Sequence, residues 1–208
     1  MQNGISKSAL GRLPIYLQYL KSLPISSTCN ISATMLATAL SLGEVQVRKD
    51  LASVSNAGKP KIGYNVSDLI LELENFLGYN NVNDAVIIGA GKLGKALLEF
   101  NGFGQYGLNI VAAFDTDDSL IGQTPDGKSI FHISEFTNLC KRLKVHIGII
   151  TVPSECAQIV CNEMIENGIL AIWNFAPTHL DVPPNILVHN ENMAASLALL
   201  SNHLKEQI

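Results

Sequence analysis

Residues 86–97 read VIIGAGKLGKAL, an apolar run opened by glycines at 89, 91 and 94. The G-x-G-x-x-G spacing predicts a strand turning into a helix around a dinucleotide phosphate. Gly89 permits the tight turn, Gly91 lets a pyrophosphate reach the backbone, and Gly94 lets the helix pack on the strand. The phosphate then rests on unpaired amides at the helix start, where the helix dipole favours negative charge. Gly89, Ala90, Gly91, Lys92, Leu93 and Gly94 therefore form one expected binding loop. The next apolar run, LNIVAAFD, ends in Asp115, 21 residues beyond Gly94. A carboxylate at that strand end accepts hydrogen bonds from both adenosine ribose hydroxyls and repels a 2′-phosphate, which selects NAD(H) over NADP(H).

Outward from the turn, apolar runs alternate with segments of helical length. DAVIIG, LNIVAAFD, HIGIITVP and GILAIWNF have the composition of strands buried in a parallel sheet. GKLGKALLEFNGF, ISEFTNLCKRL and SECAQIVCNEMIENG lie between them as helices, and NILVHN follows as a last short strand. Two strands end in Thr151-Val152-Pro153 and Asn174-Phe175, at the carboxyl edge where doubly wound sheets bind ligands. ENMAASLALLSNHLKEQI is a terminal helix with an apolar stripe. Residues 81–190 are thus expected to form a Rossmann-like NAD(H)-binding domain, and 191–208 a C-terminal helix of their own.

More than eighty residues precede the turn. SKSALGRLPIYLQYLKSL places Leu10, Leu13, Leu17 and Leu20 at helical spacing, with Pro14 as the one irregularity and Pro24 as the stop. In NISATMLATALSLG, Ser32 caps a second helix whose face is Met35, Leu36, Ala39 and Leu40, and Gly43 ends it. EVQVRKDLASVS is a third helix, with Val45, Val47 and Leu51 partly inward and Gln46, Arg48 and Lys49 outward. NAGKPKIGYNV, carrying Lys59 and Lys61, has the glycine and proline punctuation of a small β wing. SDLILELENFLG is a fourth amphipathic helix and YNNVND a linker, so residues 1–80 form a winged helix-turn-helix module. The fold class is mixed α/β.

Hydrophobic content of 47% with 15% charged residues describes a well-cored globular chain. No apolar run approaches the roughly 18 residues of a membrane span, and the N-terminus lacks a cleavable signal pattern, so the expected location is the cytoplasm. Cys29, Cys140, Cys156 and Cys161 form no CxxC pair and no metal-ligand spacing with histidine. The net charge of −4 hides two opposite fields. Residues 1–61 hold seven basic side chains (Lys7, Arg12, Lys21, Arg48, Lys49, Lys59, Lys61) against Glu44 and Asp50, which suits a polyanion-facing module. His132, His146, His179, His189 and His203 are scattered, and about 120 residues follow Gly89, enough for the sheet without a substrate lobe. No catalytic constellation is legible, which argues against an enzyme.

The stretches RLPIYLQYL, VQVRKDL, GKPKIGYNV, VIIGAGKLG, AAFD, TVP and NFAP together carry a specific resemblance. Over essentially its whole length the chain resembles the Rex family of bacterial redox-sensing transcriptional repressors. The resemblance implies a homodimer that binds palindromic double-stranded operator DNA through its winged helices, permitted by NAD+ and released by NADH. It places Gln46, Arg48 and Lys49 in the major groove, and Lys59 and Lys61 of the wing on the DNA backbone or minor groove. It also implies a domain-swapped C-terminal helix, bringing Met193 to the partner's cofactor region. In the family an arginine of the first helix exchanges partners with a tyrosine and an aspartate as the dimer closes; the matching positions are Arg12, Phe100 and Asn192. The chain departs from the family at the last two, at Lys92 where an asparagine is typical, and at Ala52–Ala57 where a Ser-Tyr-Phe-Gly-like run is usual. A weaker NADH response is expected from these changes. Two other readings of the glycine turn are a small NAD-dependent oxidoreductase and a coenzyme A-binding module. Asp115 disfavours the latter, because coenzyme A carries a ribose 3′-phosphate.

Overall fold

The computed structural model describes residues 5–24 and 30–207, so Cys29 lies outside the described residues. The chain divides into two compact units, Met1–Asn81 and Val82–Ile208.

In the first unit, α1 (Lys7–Ser22) starts under Ser6, whose hydroxyl accepts from the Ala9 amide, and it runs through Pro14 without ending. Its inward face is Ala9, Leu13, Tyr16, Leu17 and Leu20, whereas Leu10 is exposed. A short β1 (Asn30–Ile31) leads to α2 (Ala33–Ala39), capped by Ser32 as expected. The apolar face of α2 is Ala33, Leu36 and Ala37, with Met35 and Ala39 turned outward, so the expected face is rotated. Gly43 does not stop α2, which ends near Leu40 before Ser41 takes a φ of 54°; Gly43 is instead the N-cap of α3 (Glu44–Ala52). Helix α3 buries Val47, Asp50 and Leu51 and leaves Val45 exposed. The wing forms where β2 (Tyr64–Asn65) pairs antiparallel with β1, with a tight turn closed by a Lys59–Gly63 bridge. Asn65 then caps α4 (Val66–Leu77), which ends on Gly78 in the left-handed conformation. Leu13, Tyr16, Leu36, Leu51, Leu69 and Leu73 fill the core between these elements.

The second unit is a six-stranded parallel sheet. Its elements are β3 (Asn83–Ile88), α5 (Lys92–Glu99), β4 (Leu108–Asp115), β5 (Ile130–His132), α6 (Phe136–Leu143), β6 (Ile147–Ile150), α7 (Ser154–Glu166), β7 (Ala171–Asn174), β8 (Leu187–Asn190) and α8 (Met193–Gln207). The strand order is β5-β4-β3-β6-β7-β8, the doubly wound arrangement whose strand order reverses between β3 and β6. Side chains alternate across β3: Val86 and Ile88 enter one core, Ala85 and Ile87 the other. The sequence reading missed β5, a three-residue edge strand too short to show a period. It also ran α5 on to Phe103, whereas the helix stops at Glu99 and a 3-10 turn covers Asn101–Tyr106. Helix α8 is exposed along every described side chain, including Leu197, Leu199, Leu200 and Leu204.

Candidate functional site

The carboxyl ends of β3, β4 and β6 converge on one cleft of about 260 Å³, and the glycine turn forms its floor. Gly89 has a φ of +102°, and a Cβ there would sit 2.9 Å from the Thr151 carbonyl carbon and from Val152 Cγ1. The Thr151 hydroxyl donates to the Gly89 carbonyl at 2.6 Å, tying the two strand ends together. A Cβ on Gly94 would run into the Gly89 carbonyl oxygen and come within 3.0 Å of Thr151 Oγ1. Gly89 and Gly94 are thus explained by the chain's own packing. Gly91 is different: its φ is −65° and an added Cβ would meet nothing within 4 Å. The chain's own packing does not account for a glycine here, at the start of α5, where the first-turn amides have no helical partners.

Asp115 lies on the wall of this cleft with its carboxylate pinned by backbone. Oδ2 accepts from the Ala90 amide at 2.6 Å, and Oδ1 accepts from Thr116 and Asp117 at 2.7 and 3.0 Å. The residue therefore shapes the glycine turn as well as offering its remaining lone pairs to the cleft. Val152 and Pro153 also line the cleft, while Lys92 and Leu93, in the first turn of α5, do not. Ile133, Cys156 and Val160 line it too and were missed by sequence reading. The last two stand four apart on α7, a spacing that puts them on one helix face above the sheet edge.

At the end of β7 the two expected residues diverge. Asn174 is fully buried, with its amide nitrogen 2.8 Å from Asn190 Oδ1 and 3.1 Å from the Ala176 and Thr178 carbonyls. Its oxygen accepts from the Ala176 amide, so the side chain fixes the following turn and is not presented to a ligand. Phe175 does line a cavity, of about 520 Å³, together with Pro177, Glu191, Asn192 and Met193. Phe175 also ends an aromatic run: its ring centroid is 4.9 Å from Trp173, which is 5.7 Å from Phe103, itself 4.9 Å from Phe100. The Trp173 indole donates to Glu191 at 2.8 Å.

In the first unit, Gln46, Arg48 and Lys49 are all exposed on α3, as are Lys59 and Lys61 on the wing. Arg48, Lys59 and Lys61 share a cavity of about 440 Å³ with Ser32 and Thr34. Arg48 also pairs with Glu44 one turn back on the helix. Gln46 and Lys49 line a separate cleft of about 630 Å³ with Arg12 and Asp50. Arg12 grips Asp50 with both bonds of one guanidinium edge, Nε to Oδ2 at 2.8 Å and Nη2 to Oδ1 at 2.9 Å. The Tyr16 hydroxyl donates to the same Oδ2 at 2.7 Å. Burial and the bond to Asp50 push the Tyr16 hydroxyl up to about 12, and the hydrogen bond with Asp50 raises Arg12 further above its ordinary value.

Arg12, Phe100 and Asn192, the expected switch residues, each have a partner close by. Arg12 is committed to Asp50, Asn192 caps α8 by accepting from the Ala195 amide at 2.9 Å, and Phe100 packs edge-on against Phe103. Each is engaged within its own unit. An exchange at Arg12 must first break a bidentate pair whose carboxylate, on a residue only 5% exposed, would be left without its counter-charge, a costly state.

Comparison with known proteins covers both units. A family model described as "CoA binding domain" matches residues 80–178, and one described as "Putative DNA-binding protein N-terminus" matches residues 4–52. The redox-sensing transcriptional repressor Rex of Bacteroides fragilis is 40% identical over 200 residues, spanning 96% of this chain and 91% of that protein. That of Treponema denticola is 42% identical over 189 residues, spanning 91% and 90%. Among solved structures, RSP in complex with beta-NAD+ and operator DNA superposes with a TM-score of 0.92 at 31% identity, covering 99% of this chain and 95% of that one. RSP in complex with beta-NADH gives 0.89 at 30% identity, with 99% and 97% covered. With relatives this similar along nearly the whole chain, the protein belongs to the Rex family of redox-sensing transcriptional repressors.

Proposed function

We propose that the protein is a cytoplasmic repressor that binds a palindromic operator as a homodimer and is released when NADH replaces NAD+. The observation that carries this reading is the pairing, in one chain, of a winged module presenting five basic or amide side chains with a dinucleotide-type cleft. RSP, its structural relative, has been solved with beta-NAD+ and operator DNA and with beta-NADH. Gln46, Arg48 and Lys49 would enter the major groove, with Lys59 and Lys61 on the backbone beside it. Among the described residues no helix is long and apolar enough to cross a membrane. The leucines along α8 support exchange of that helix with a second subunit, which would cover a stripe the chain itself leaves exposed.

The cleft fits the adenosine and pyrophosphate half of a dinucleotide. Gly91 keeps side-chain atoms out of the approach to α5, and Asp115 stands at the end of β4 where ribose hydroxyls are bound in such sheets. Phe175 and Met193, in the neighbouring cavity, would meet the other half. When bound, the nicotinamide supplies a ring that is neutral in the reduced form and cationic in the oxidised form. In that cavity Phe175, Pro177 and Met193 would favour the neutral ring, because a cation against them is desolvated, whereas Glu191 would favour the cation. The match to a coenzyme A-binding model supports a second occupant for the same cleft. Asp115 weighs against it by repelling a ribose phosphate. One titration tests the reading: affinity for an inverted-repeat duplex with saturating NADH, with NAD+ and with neither. Equal affinity in all three would refute redox control, and competition of NADH by coenzyme A would favour the second occupant.

A further inference from the structure

Arg12 has a second edge. Its Nε and one Nη2 proton serve Asp50, which leaves the Nη1–Nη2 edge facing Gln46 of α3. With its carboxamide oxygen toward Arg12, Gln46 accepts from Nη1 at 3.0 Å and from Nη2 at 3.2 Å. A guanidinium carries only donors, so the amide nitrogen of Gln46 cannot occupy that position. The orientation is backed from behind: Asp50, only 5% exposed, is held by Arg12 and by Tyr16, so the guanidinium cannot rotate away without stranding a buried carboxylate. The chain Tyr16–Asp50–Arg12–Gln46 therefore ends on an exposed NH2 group at the surface of α3.

A free glutamine reads adenine by pairing its oxygen with N6 and its nitrogen with N7, one acceptor and one donor together. Gln46 has only donors left to offer. We propose that Arg12 is a positioning residue that makes Gln46 a donor-only reader, selecting a base edge made of acceptors, guanine O6 and N7 first, and rejecting adenine at that base pair. This rests on the DNA-reading role proposed for α3. It adds a specificity determinant that never touches DNA itself, since Arg12 acts only through the amide it turns.

The test uses the full chain and a panel of operator duplexes in which each base pair of one half-site is replaced in turn. Native protein is expected to prefer guanine over adenine at one position by about 5- to 150-fold, the range of a good base contact. Gln46→Ala should abolish that preference and leave the other positions unchanged. Arg12→Lys keeps a cation beside Asp50 but has no second edge, so the preference should shrink to within about threefold, an amide free to turn accepting either purine. In the Gln46→Ala background, Arg12→Lys should change nothing further at that position. Gln46→Glu leaves the Arg12–Asp50 pair untouched and turns an acceptor outward, so the preferred base there should become cytosine, through its N4 donor. A purely structural Arg12 would alter affinity evenly across the panel. The proposal is overturned if Arg12→Lys retains the full guanine preference, or if Gln46→Glu still prefers guanine. Native protein that binds every duplex equally would instead overturn the DNA-reading role, so the two failures are distinguishable.

Discussion

Replacing Gly91 by alanine should separate cofactor binding from folding. In the ligand-free protein the new methyl group meets nothing within 4 Å, and the φ of −65° is one alanine adopts freely. Alanine restricts the unfolded chain, a gain of about 0.4–1 kcal/mol, and is a poorer N-cap than glycine by a comparable amount, so stability should change by less than about 0.5 kcal/mol. Binding should respond differently. A methyl group before α5 holds a pyrophosphate off the helix amides, and losing a charge-assisted hydrogen bond costs about 1.5–3 kcal/mol, or roughly 10- to 150-fold in affinity. Gly94→Ala is the contrast. Its Cβ is driven into the Gly89 carbonyl, whose position Thr151 fixes, so that variant should lose about 1–3 kcal/mol of stability or more along with binding. Calorimetric titration with NADH, beside thermal unfolding of the ligand-free variants, measures both quantities. If Gly91→Ala bound NADH as tightly as native protein, no phosphate would be resting on this turn, and the assignment of the cleft would fail.

Asp115→Asn removes the charge but keeps an acceptor for the Ala90 amide, so the preference for NADH over NADPH should narrow by about 1–3 kcal/mol; equal native affinity for the two would remove the carboxylate's assigned role. Operator affinity should fall steeply with salt, and Lys61→Ala should flatten the slope of log affinity against log salt by about 1 unit while leaving base preference unchanged. Burial, then the nearby Glu163 charge, push the Cys140 thiol up to about 11. The folded state therefore keeps a proton that the unfolded state begins to lose near pH 9, so stability should fall from there to about pH 11, and Cys140→Ala should flatten that part of the unfolding profile. Leu197→Lys with Leu204→Lys should turn a dimer into monomers in sedimentation experiments, since both side chains lie more than half exposed on α8.

Features that depend on neighbours in the chain were legible from residues alone. The glycine turn is one, because a tight turn, a backbone approach and a helix–strand contact each demand a glycine at a set spacing. The cap Ser32 bonds to the amide three residues on, and the strands of the parallel sheet announce themselves by unbroken apolar composition. Asp115 was placed correctly at a strand end, but its three backbone bonds follow from the meeting of β3 and β4. Other residues took roles that only packing could assign. Arg12 finds Asp50 from 38 positions away and turns its other edge to Gln46. Asn174, expected to face a ligand, is drawn inward because three acceptors surround its amide once β7, β8 and the following turn are assembled. Cys156 and Val160 reach the cleft only because α7 starts directly after the end of β6. A residue's type and spacing limit what it can bond to. Which partner it meets is set by the long-range packing that brings distant segments within 3 Å of one another, and no local pattern encodes that distance.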